Sequence, residues 1–437
     1  MAPETTPHTP HLPRPSRRQL IALGAGTAAL GCSATRDREA GAQELFGNLH
    51  DQRGSIEAIT SEERAGRRRR LGELLTAAGI DAFFCEGGAT MSYLSGMRWG
   101  RSERVFGLVV RADGTHLWIC PEFEAGRARL GIEDGPGGEL VTWEEHEYAR
   151  GALARVMQDQ GLERWAVDPG ARLLAVDELR AASATARIES APAIVGALRG
   201  VKDEHELALL RRANELTQEA ILAASEHVRP GMTRDEIAPL IRTAQERLGL
   251  RDVWVLALVG PAAAYPHGNN SEVTLGRGDF LLVDTGGSLH GYQSDNTRTW
   301  VPDGQPGREE TRAWHAVHAA QRRAFEAIRP GVVCAEIDRV ARASLDAAGY
   351  GPDYHRLTHR LGHGIGMEGH EQPYFDLGSE VVLQPGMTLS NEPGIYVPGS
   401  FGVRLEDIVA VTASGAEHFG NWQAGPTSPA STAPTSI

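Results

Sequence analysis

The sequence predicts an α+β chain of two domains, the second assembled from two similar αβ halves. Three observations carry this. Short apolar strands alternate with helices from about Ser55 to Arg199. A long amphipathic helix from Asp203 to Val228, with Leu207, Leu210, Ala213, Leu216 and Ala220 on one face, then opens a new unit. Inside that unit Arg229-Pro230-Gly231, followed by Glu236-Ile237, recurs as Arg329-Pro330-Gly331, followed by Glu336-Ile337, at an offset of 100 residues.

Composition narrows the functions. The chain has 437 residues, 41% hydrophobic and 23% charged, which is ample for a large core. With 44 basic and 57 acidic residues the formal charge is −13, so no global positive field exists to hold nucleic acid or an anionic membrane, and no nucleic-acid partner is expected. Lys202 is the only lysine, which excludes a Walker A loop and argues against Schiff-base chemistry. Cys32, Cys85, Cys120 and Cys334 are scattered without a CxxC pair, so neither a zinc knuckle nor a disulfide framework is indicated.

Residues 1–40 read as a leader. Ser16-Arg17-Arg18-Gln19 precedes an apolar stretch from Leu20 to Gly31, the pattern of a twin-arginine export signal, and it falls short of the ~20 apolar residues that span a bilayer. Ala29-Leu30-Gly31-Cys32 is similar to a lipoprotein cleavage box, which makes Cys32 a candidate lipid anchor and the periplasm or cell envelope the expected location. Residues 41–200 are the expected N-terminal α/β domain, with a charged helix from Glu57 to Ala78, a strand from Asp81 to Cys85 and a strand pair at Val105 to Val110 and Thr115 to Cys120. Arg67 to Arg70 lie among Glu62, Glu63 and Glu73 on that helix and read as a solvated face. Residues 201–420 form the second domain. Residues 421–437, rich in Pro, Ser, Thr and Ala, are expected to be a disordered tail.

The repeat carries the chemistry. Each half has a Pro-Gly turn feeding a helix, then a His-Gly loop (His267-Gly268; His363-Gly364), then a strand with a carboxylate six residues after its glycine, Asp284 after Gly278 and Glu392 after Gly386. A second acid follows each, Asp295 and Glu406, after 11 and 14 residues. A carboxylate inside an apolar strand such as Leu281-Leu282-Val283-Asp284 is costly unless neutralised. A pseudo-twofold that brings four of them together demands cations, and a binuclear divalent metal site meets that demand. His363, in Gly362-His-Gly-Ile-Gly366, supplies a natural fifth ligand, since glycines let the chain approach an ion closely.

The second domain resembles the creatinase/prolidase-type metallopeptidases, the pita-bread M24 family that includes aminopeptidase P, prolidase and methionine aminopeptidase. The resemblance rests on Asp284-Thr-Gly-Gly, Tyr292-Gln-Ser-Asp295-Asn-Thr-Arg-Thr299, His359-Arg-Leu-Gly-His363-Gly-Ile-Gly366, His370-Glu-Gln-Pro373, Asn391-Glu392-Pro-Gly-Ile-Tyr396 and Gly402-Val-Arg404-Leu-Glu406. It implies a pita-bread catalytic domain behind a creatinase-type N-terminal domain. It implies further that Asp284, Asp295, His363, Glu392 and Glu406 ligate two ions, that Asp295 and Glu406 bridge them, that His267, His359 and His370 line the substrate pocket, and that Arg404 braces the acids. Four carboxylates and one imidazole are an oxygen-rich set suited to Mn²⁺, with Co²⁺, Fe²⁺ or Zn²⁺ also accommodated. Ions about 3.5–4 Å apart hold a bridging hydroxide and polarise a carbonyl; Glu392 is placed to take its proton, and His370 and His267 to stabilise the oxygen that develops charge.

The activity this resemblance implies is an exopeptidase that cleaves between an N-terminal residue and proline, on a dipeptide or a longer peptide, in a homo-oligomer. Two alternatives stand beside it. A metal-dependent relative acting on a small non-peptide substrate, such as a dimethylsulfoniopropionate lyase or ectoine hydrolase, shares the ligands. A non-catalytic binding module is expected to have lost ligand residues, and none is missing here.

Overall fold

The computed structural model describes residues 45–269 and 271–431. The leader with Arg17, Arg18 and Cys32 lies outside the described residues.

The N-terminal domain begins with α1 (Ser61–Ala78) and continues through β1 (Ala82–Glu86), α2 (Ala89–Ser95), β2 (Gly107–Arg111), β3 (His116–Pro121), α3 (Ala125–Glu133), β4 (Glu139–Trp143), α4 (Tyr148–Gln160), β5 (Arg164–Val167), α5 (Leu173–Ala182), β6 (Arg187–Ser190) and α6 (Pro192–Arg199). The strands form one mixed sheet in the order β4-β3-β2-β1-β5-β6. Its central strand β1 is buried at every position because helices cover both faces. Helix α1 starts at Ser61 rather than Glu57, because Thr60 takes the N-cap: its Oγ1 accepts from Glu63 N at 3.2 Å while Glu63 Oε2 accepts from Thr60 N at 2.7 Å.

Two expectations for this region need correction. The arginine run is not wholly a solvated face: Arg67 and Arg68 are each 7% exposed. Arg67 Nη2 donates to Tyr292 Oη at 2.9 Å and pairs with Glu206 at 3.4 Å, and Arg68 Nη1 donates to Leu94 O at 2.6 Å, so half the run stitches α1 to the rest of the molecule. Nor does the chain from residue 41 belong to the first domain throughout. Phe46 and Ile59 are buried in the core of the second domain, where Phe46 meets His227 edge to face and Gln52 N donates to Leu248 O at 3.0 Å.

The second domain runs through α7 (Glu204–Ser225), α8 (Arg234–Arg247), β7 (Arg251–Val259), β8 (Leu281–Leu289), β9 (Tyr292–Gln293), β10 (Asn296–Trp300), α9 (Arg308–Ala327), α10 (Cys334–Ala347), β11 (Gly362–Gly364), β12 (Glu371–Phe375), β13 (Thr388–Asn391), β14 (Gly394–Val397), β15 (Phe401–Arg404), β16 (Asp407–Val411), β17 (Ala416–His418), β18 (Gln423–Gly425) and β19 (Ser428–Ser431). Helices α8 and α10 occupy matching positions of the two repeats, 100 residues apart. Their entry turns match in hydrogen bonding: Gly231 N donates to Leu275 O at 2.7 Å and Gly331 N to Leu383 O at 3.0 Å, and both glycines sit at positive φ, 91° and 87°. One half contributes the sheet β10-β8-β7 with β9 on β8, the other β12-β11-β13-β16-β17. The two are joined where Thr297 and Glu406 exchange backbone hydrogen bonds of 3.3 and 3.1 Å.

The expected disordered tail is corrected as far as Ser431; residues 432–437 lie outside the described residues. Within it β18 and β19 form a hairpin, because the buried amide of Gln423 pairs with Thr299 backbone on β10 and Val301 N donates to Pro426 O. A low-complexity composition reveals none of these pairings. Among the described residues no helix is long and apolar enough to cross a membrane.

Candidate metal centre and substrate pocket

Strand register assembles the acids. On β8, Asp284 lies opposite Thr297 of β10 and Leu256 of β7. Thr297 is the residue bridged to Glu406, and its Oγ1 donates to Glu406 Oε2 at 2.6 Å. Asp295 stands just before β10, its backbone N donating to Asn214 Oδ1 on α7 at 3.1 Å. Glu392 follows β13 and accepts at Oε1 from Ser390 Oγ at 3.0 Å, the same hydroxyl that accepts from His363 N at 2.9 Å. All four carboxylates and His363 thereby converge on one cavity of about 620 Å³, which His267, His359, His370, Arg360 and Arg404 also line.

Electrostatics of the bare cluster are unfavourable. Burial and then the neighbouring carboxylates hold Asp295 and Glu406 well above the ordinary carboxylate range. Glu392 is pushed up to about 8, by burial first, with Arg404 pulling it down and Asp284 pushing it up. His363 Nδ1 faces Gly364 O at 3.1 Å; a carbonyl only accepts, so Nδ1 carries the proton and Nε2 presents a lone pair. That lone pair lies 3.3 Å from Glu392, 3.7 Å from Asp295 and 3.9 Å from Glu406, and burial depresses the imidazole to about 3, so it does not charge to relieve them.

Acceptors facing acceptors, with Asp284 Oδ1 and Asp295 Oδ1 buried and unpartnered, are what a cation would satisfy. Three overlapping sets have one ligand atom per residue within 4.8 Å of one another: Asp295, His363 and His370; His363, Glu392 and Glu406; Asp284, Asp295 and Glu406. The residues present therefore fit divalent cations. The first set brings His370 closer to the acids than a pocket-lining role alone requires; its ring stacks on His363 at 3.7 Å.

Around the acids a polar relay holds three further side chains. Arg404 Nη2 donates to Asp284 Oδ2 at 2.6 Å, Nε to Thr297 Oγ1 at 3.1 Å and Nη1 to Tyr396 Oη at 2.8 Å. Tyr396 Oη then has its own proton for His359 Nε2, 2.8 Å away, while His359 Nδ1 donates to Arg360 O at 2.7 Å. His359 is thus neutral, and burial holds it down at about 3. His267 sits exposed at the pocket wall, where its ring lies close enough to His359 and His370 to disfavour charge on both. Sequence reasoning assigned no role to Thr297, Ser390 or Tyr396. Thr297 had a signal in the alternation Thr297, Thr299 on one strand face; Ser390 and Tyr396 had none.

A family model described as the Creatinase/Prolidase N-terminal domain matches residues 67–201, and one described as Metallopeptidase family M24 matches residues 208–413. "Probable dipeptidase PepE" of Mycobacterium tuberculosis is 35% identical over 359 residues, 81% of this chain and 94% of that protein. Among solved structures, Dipeptidase PepE from Mycobacterium ulcerans superposes with TM-score 0.77 at 31% identity, covering 85% of this chain and 99% of that one. Xaa-Pro dipeptidase from Bacillus anthracis superposes with TM-score 0.71 at 26% identity, covering 82% and 97%. The chain belongs to metallopeptidase family M24, with a creatinase-type N-terminal domain before its pita-bread domain.

Proposed function

We propose that this peptidase is a binuclear-metal exopeptidase that hydrolyses the bond between an N-terminal residue and proline. The observation that carries the reading is the unprotonated His363 Nε2 enclosed by Glu392, Asp295 and Glu406, with Asp284 alongside. In it Asp284, Asp295, His363, Glu392 and Glu406 would hold two divalent ions, Mn²⁺ by ligand chemistry. Bound there, the ions would supply Lewis acidity toward the scissile carbonyl and lower the pKa of water.

The remaining work falls to the chain's own groups. Glu392 Oε1 is engaged by Ser390, so Oε2 is the atom that accepts the proton of the attacking water. His370 and His267, on the pocket wall, orient the peptide and donate to the carbonyl oxygen as it gains charge. Arg404 keeps Asp284 aimed, and Tyr396 keeps His359 in its neutral tautomer. The Xaa-Pro preference is supported by the likeness to an Xaa-Pro dipeptidase, and by the need of a tertiary amide, which lacks N–H, for a dedicated pocket.

The test is product release followed by mass spectrometry on Mn²⁺-loaded protein given Ala-Pro, Ala-Pro-Ala-Ala and Ala-Ala. Chelator-sensitive cleavage of the proline peptides alone supports the reading, and the length preference separates dipeptidase from aminopeptidase; cleavage of Ala-Ala alone overturns the proline specificity. Export through Arg17-Arg18, lipidation of Cys32 and a homo-oligomeric state belong to the same proposal. Cell fractionation of Arg17→Lys/Arg18→Lys and Cys32→Ala variants, and light scattering of the purified protein, test them.

A further inference from the structure

Lys202, the chain's only lysine, is almost fully buried, its side chain 1% exposed. A buried ammonium is costly unless paired, and this one is: Nζ donates to Glu371 Oε1 at 2.7 Å. Arg199 reaches the same carboxylate, Nη2 to Glu371 Oε2 at 2.6 Å and to Glu368 Oε2 at 2.7 Å, while its Nη1 donates to Thr90 Oγ1 on α2 at 3.0 Å. Arg199 closes α6 and Lys202 lies on the short segment that follows it to α7, where Lys202 N is pinned to Gly386 O, two residues before β13.

What they grip is the residue directly after His370. The Glu371 carboxylate fills the space in front of Gly366, where any Cβ would collide with it, and its backbone covers Gly364 in the same way. The loop that carries His363 therefore has glycine at both places where Glu371 lies against it. The pairing of β11 with β12 slips between His363 and Gly364, and across that irregularity the rings of His363 and His370 stack at 3.7 Å with 26° between their planes. One carboxylate thus connects the interdomain segment to both histidines.

Resting on the peptidase reading above, we infer that Lys202 and Arg199 are positioning residues that act through Glu371 to hold the stacked His363 and His370 rings over the acidic cluster. A compact ammonium suits the Lys202 position, because the forked guanidinium used everywhere else in the chain needs room for five donors. Removing Lys202's charge leaves Glu371 partly unpaired in a buried space, and the carboxylate swings toward Arg199, taking pressure off Gly366 and moving the ring pair. Displacements of about 1 Å at such a site cost up to about a hundredfold in turnover.

The experiment compares the full chain with Lys202→Met, Glu371→Gln and the double variant. The readouts are kcat and KM on the cleaved peptide, thermal melting, and the ring signals of His363 and His370 in ¹³C-histidine-labelled, metal-free protein. Lys202→Met is expected to lower kcat about tenfold or more with KM within about twofold, and to shift or broaden those two ring signals while His116 stays fixed. The double variant is expected to lose much less than the sum of the two single losses, because both changes break the same contact. A lowered melting temperature with unchanged kcat, KM and ring signals would overturn the inference, because it marks a merely structural ion pair. If Lys202→Met does not fold, Glu371→Gln, which keeps the side-chain volume, decides by the same signals. Ring signals that respond in a protein that cleaves no peptide overturn the peptidase reading and leave the positioning intact.

Discussion

Arg404 on β15 and Asp284 on β8 meet at 2.6 Å across the seam between the two halves of the second domain. The guanidinium is 2% exposed and its charge is the buried counterweight to the acids beside it. Arg404→Met is expected to destabilise the metal-free protein by about 3–5 kcal/mol, since it strands a carboxylate in a dry site. In the metal-loaded enzyme it should lower kcat/KM by about 10–100-fold, the range for residues that orient ligands. Arg404→Lys should recover little of either, because one ammonium cannot reach Asp284, Thr297 and Tyr396 together. Denaturant melts and steady-state kinetics check both; a lysine variant of full activity contradicts the three-way geometry.

Protons and metal compete for the acids. Glu392 is raised from 4.5 to about 8, burial being the main cause, so the folded metal-free chain binds a proton there that the unfolded chain releases above about pH 4.5. Asp295 and Glu406 are raised for the same reason. Stability of the metal-free protein should therefore fall as pH rises from about 4.5 through 8. Metal uptake should expel these protons and tighten over the same window. Titration calorimetry at pH 6.5 in two buffers of different ionisation enthalpy is expected to show net proton release; equal heats in both would contradict it. His363, already neutral, contributes none.

A second pH-sensitive contact ties the domains together. His205 at the start of α7 lies with Nδ1 2.6 Å from Glu63 Oε1 on α1. Burial works against Glu63's charge, but Thr60 and His205 bring the carboxyl down to about 2, and the hydrogen bond to Glu63 raises His205. The depressed acid contributes stability that is present above about pH 4.5 and lost as pH falls toward 2. The raised imidazole contributes stability that is full below pH 6.5 and lost once pH passes its elevated value. Glu63→Gln should therefore cost most between about pH 4.5 and 6.5, and less at pH 9, where the share that runs through charged His205 is gone and the share that runs through Thr60 remains. Thermal melts of both proteins across pH 4–9 check this; a pH-independent difference would mean that Glu63 acts only as the capping partner of Thr60.

The acids were legible because Asp284 puts a charge inside an apolar strand, Glu392 puts one at the end of the matching strand, and the repeat sets a second acid after each; Asp284, Asp295, His363, Glu392 and Glu406 do line one cavity. Long elements such as α7 were legible from period alone. Arg67 was not, since its partners Tyr292 and Glu206 lie 225 and 139 residues away and its own helix supplies enough acids to suggest a solvated face. Phe46 was not, because a short segment packing on a distant domain leaves no periodic trace. Tyr396 and Ser390 act through hydroxyls whose partners are set only by strand register.

Gly362 explains the narrowness of the loop before His363. A Cβ there would run into Ser390 O on β13, the strand whose hydroxyl at the same residue holds both His363 N and Glu392. Gly362→Ala should push β11 off β13, part Ser390 from its two partners and lower metal affinity and kcat/KM together, each by about tenfold or more. Equilibrium dialysis with Mn²⁺ and kinetics at saturating metal separate the two effects. Lost activity with unaltered affinity would place the displacement at the substrate wall rather than at the ligands.

Gln423 shows how far the acidic site depends on the end of the described chain. Its Oε1 accepts from Thr299 N at 3.3 Å, and its Nε2 donates to Thr299 O at 2.8 Å and to Gly425 O and Ser428 O at 2.9 Å each, all with the side chain buried. Thr299 in turn exchanges hydrogen bonds with Arg404 through its Oγ1, 3.2 Å from Arg404 N and 2.8 Å from Arg404 O. Gln423→Ala leaves Thr299 N unpaired and the turn without its staple, and should cost about 1–3 kcal/mol. Hydrogen exchange should then rise in β18, β19 and at Thr299, while β8 keeps its protection, because β8 pairs on both sides with β7 and β10. If exchange rises equally in β8, the hairpin is part of the folding core rather than a strap on its edge.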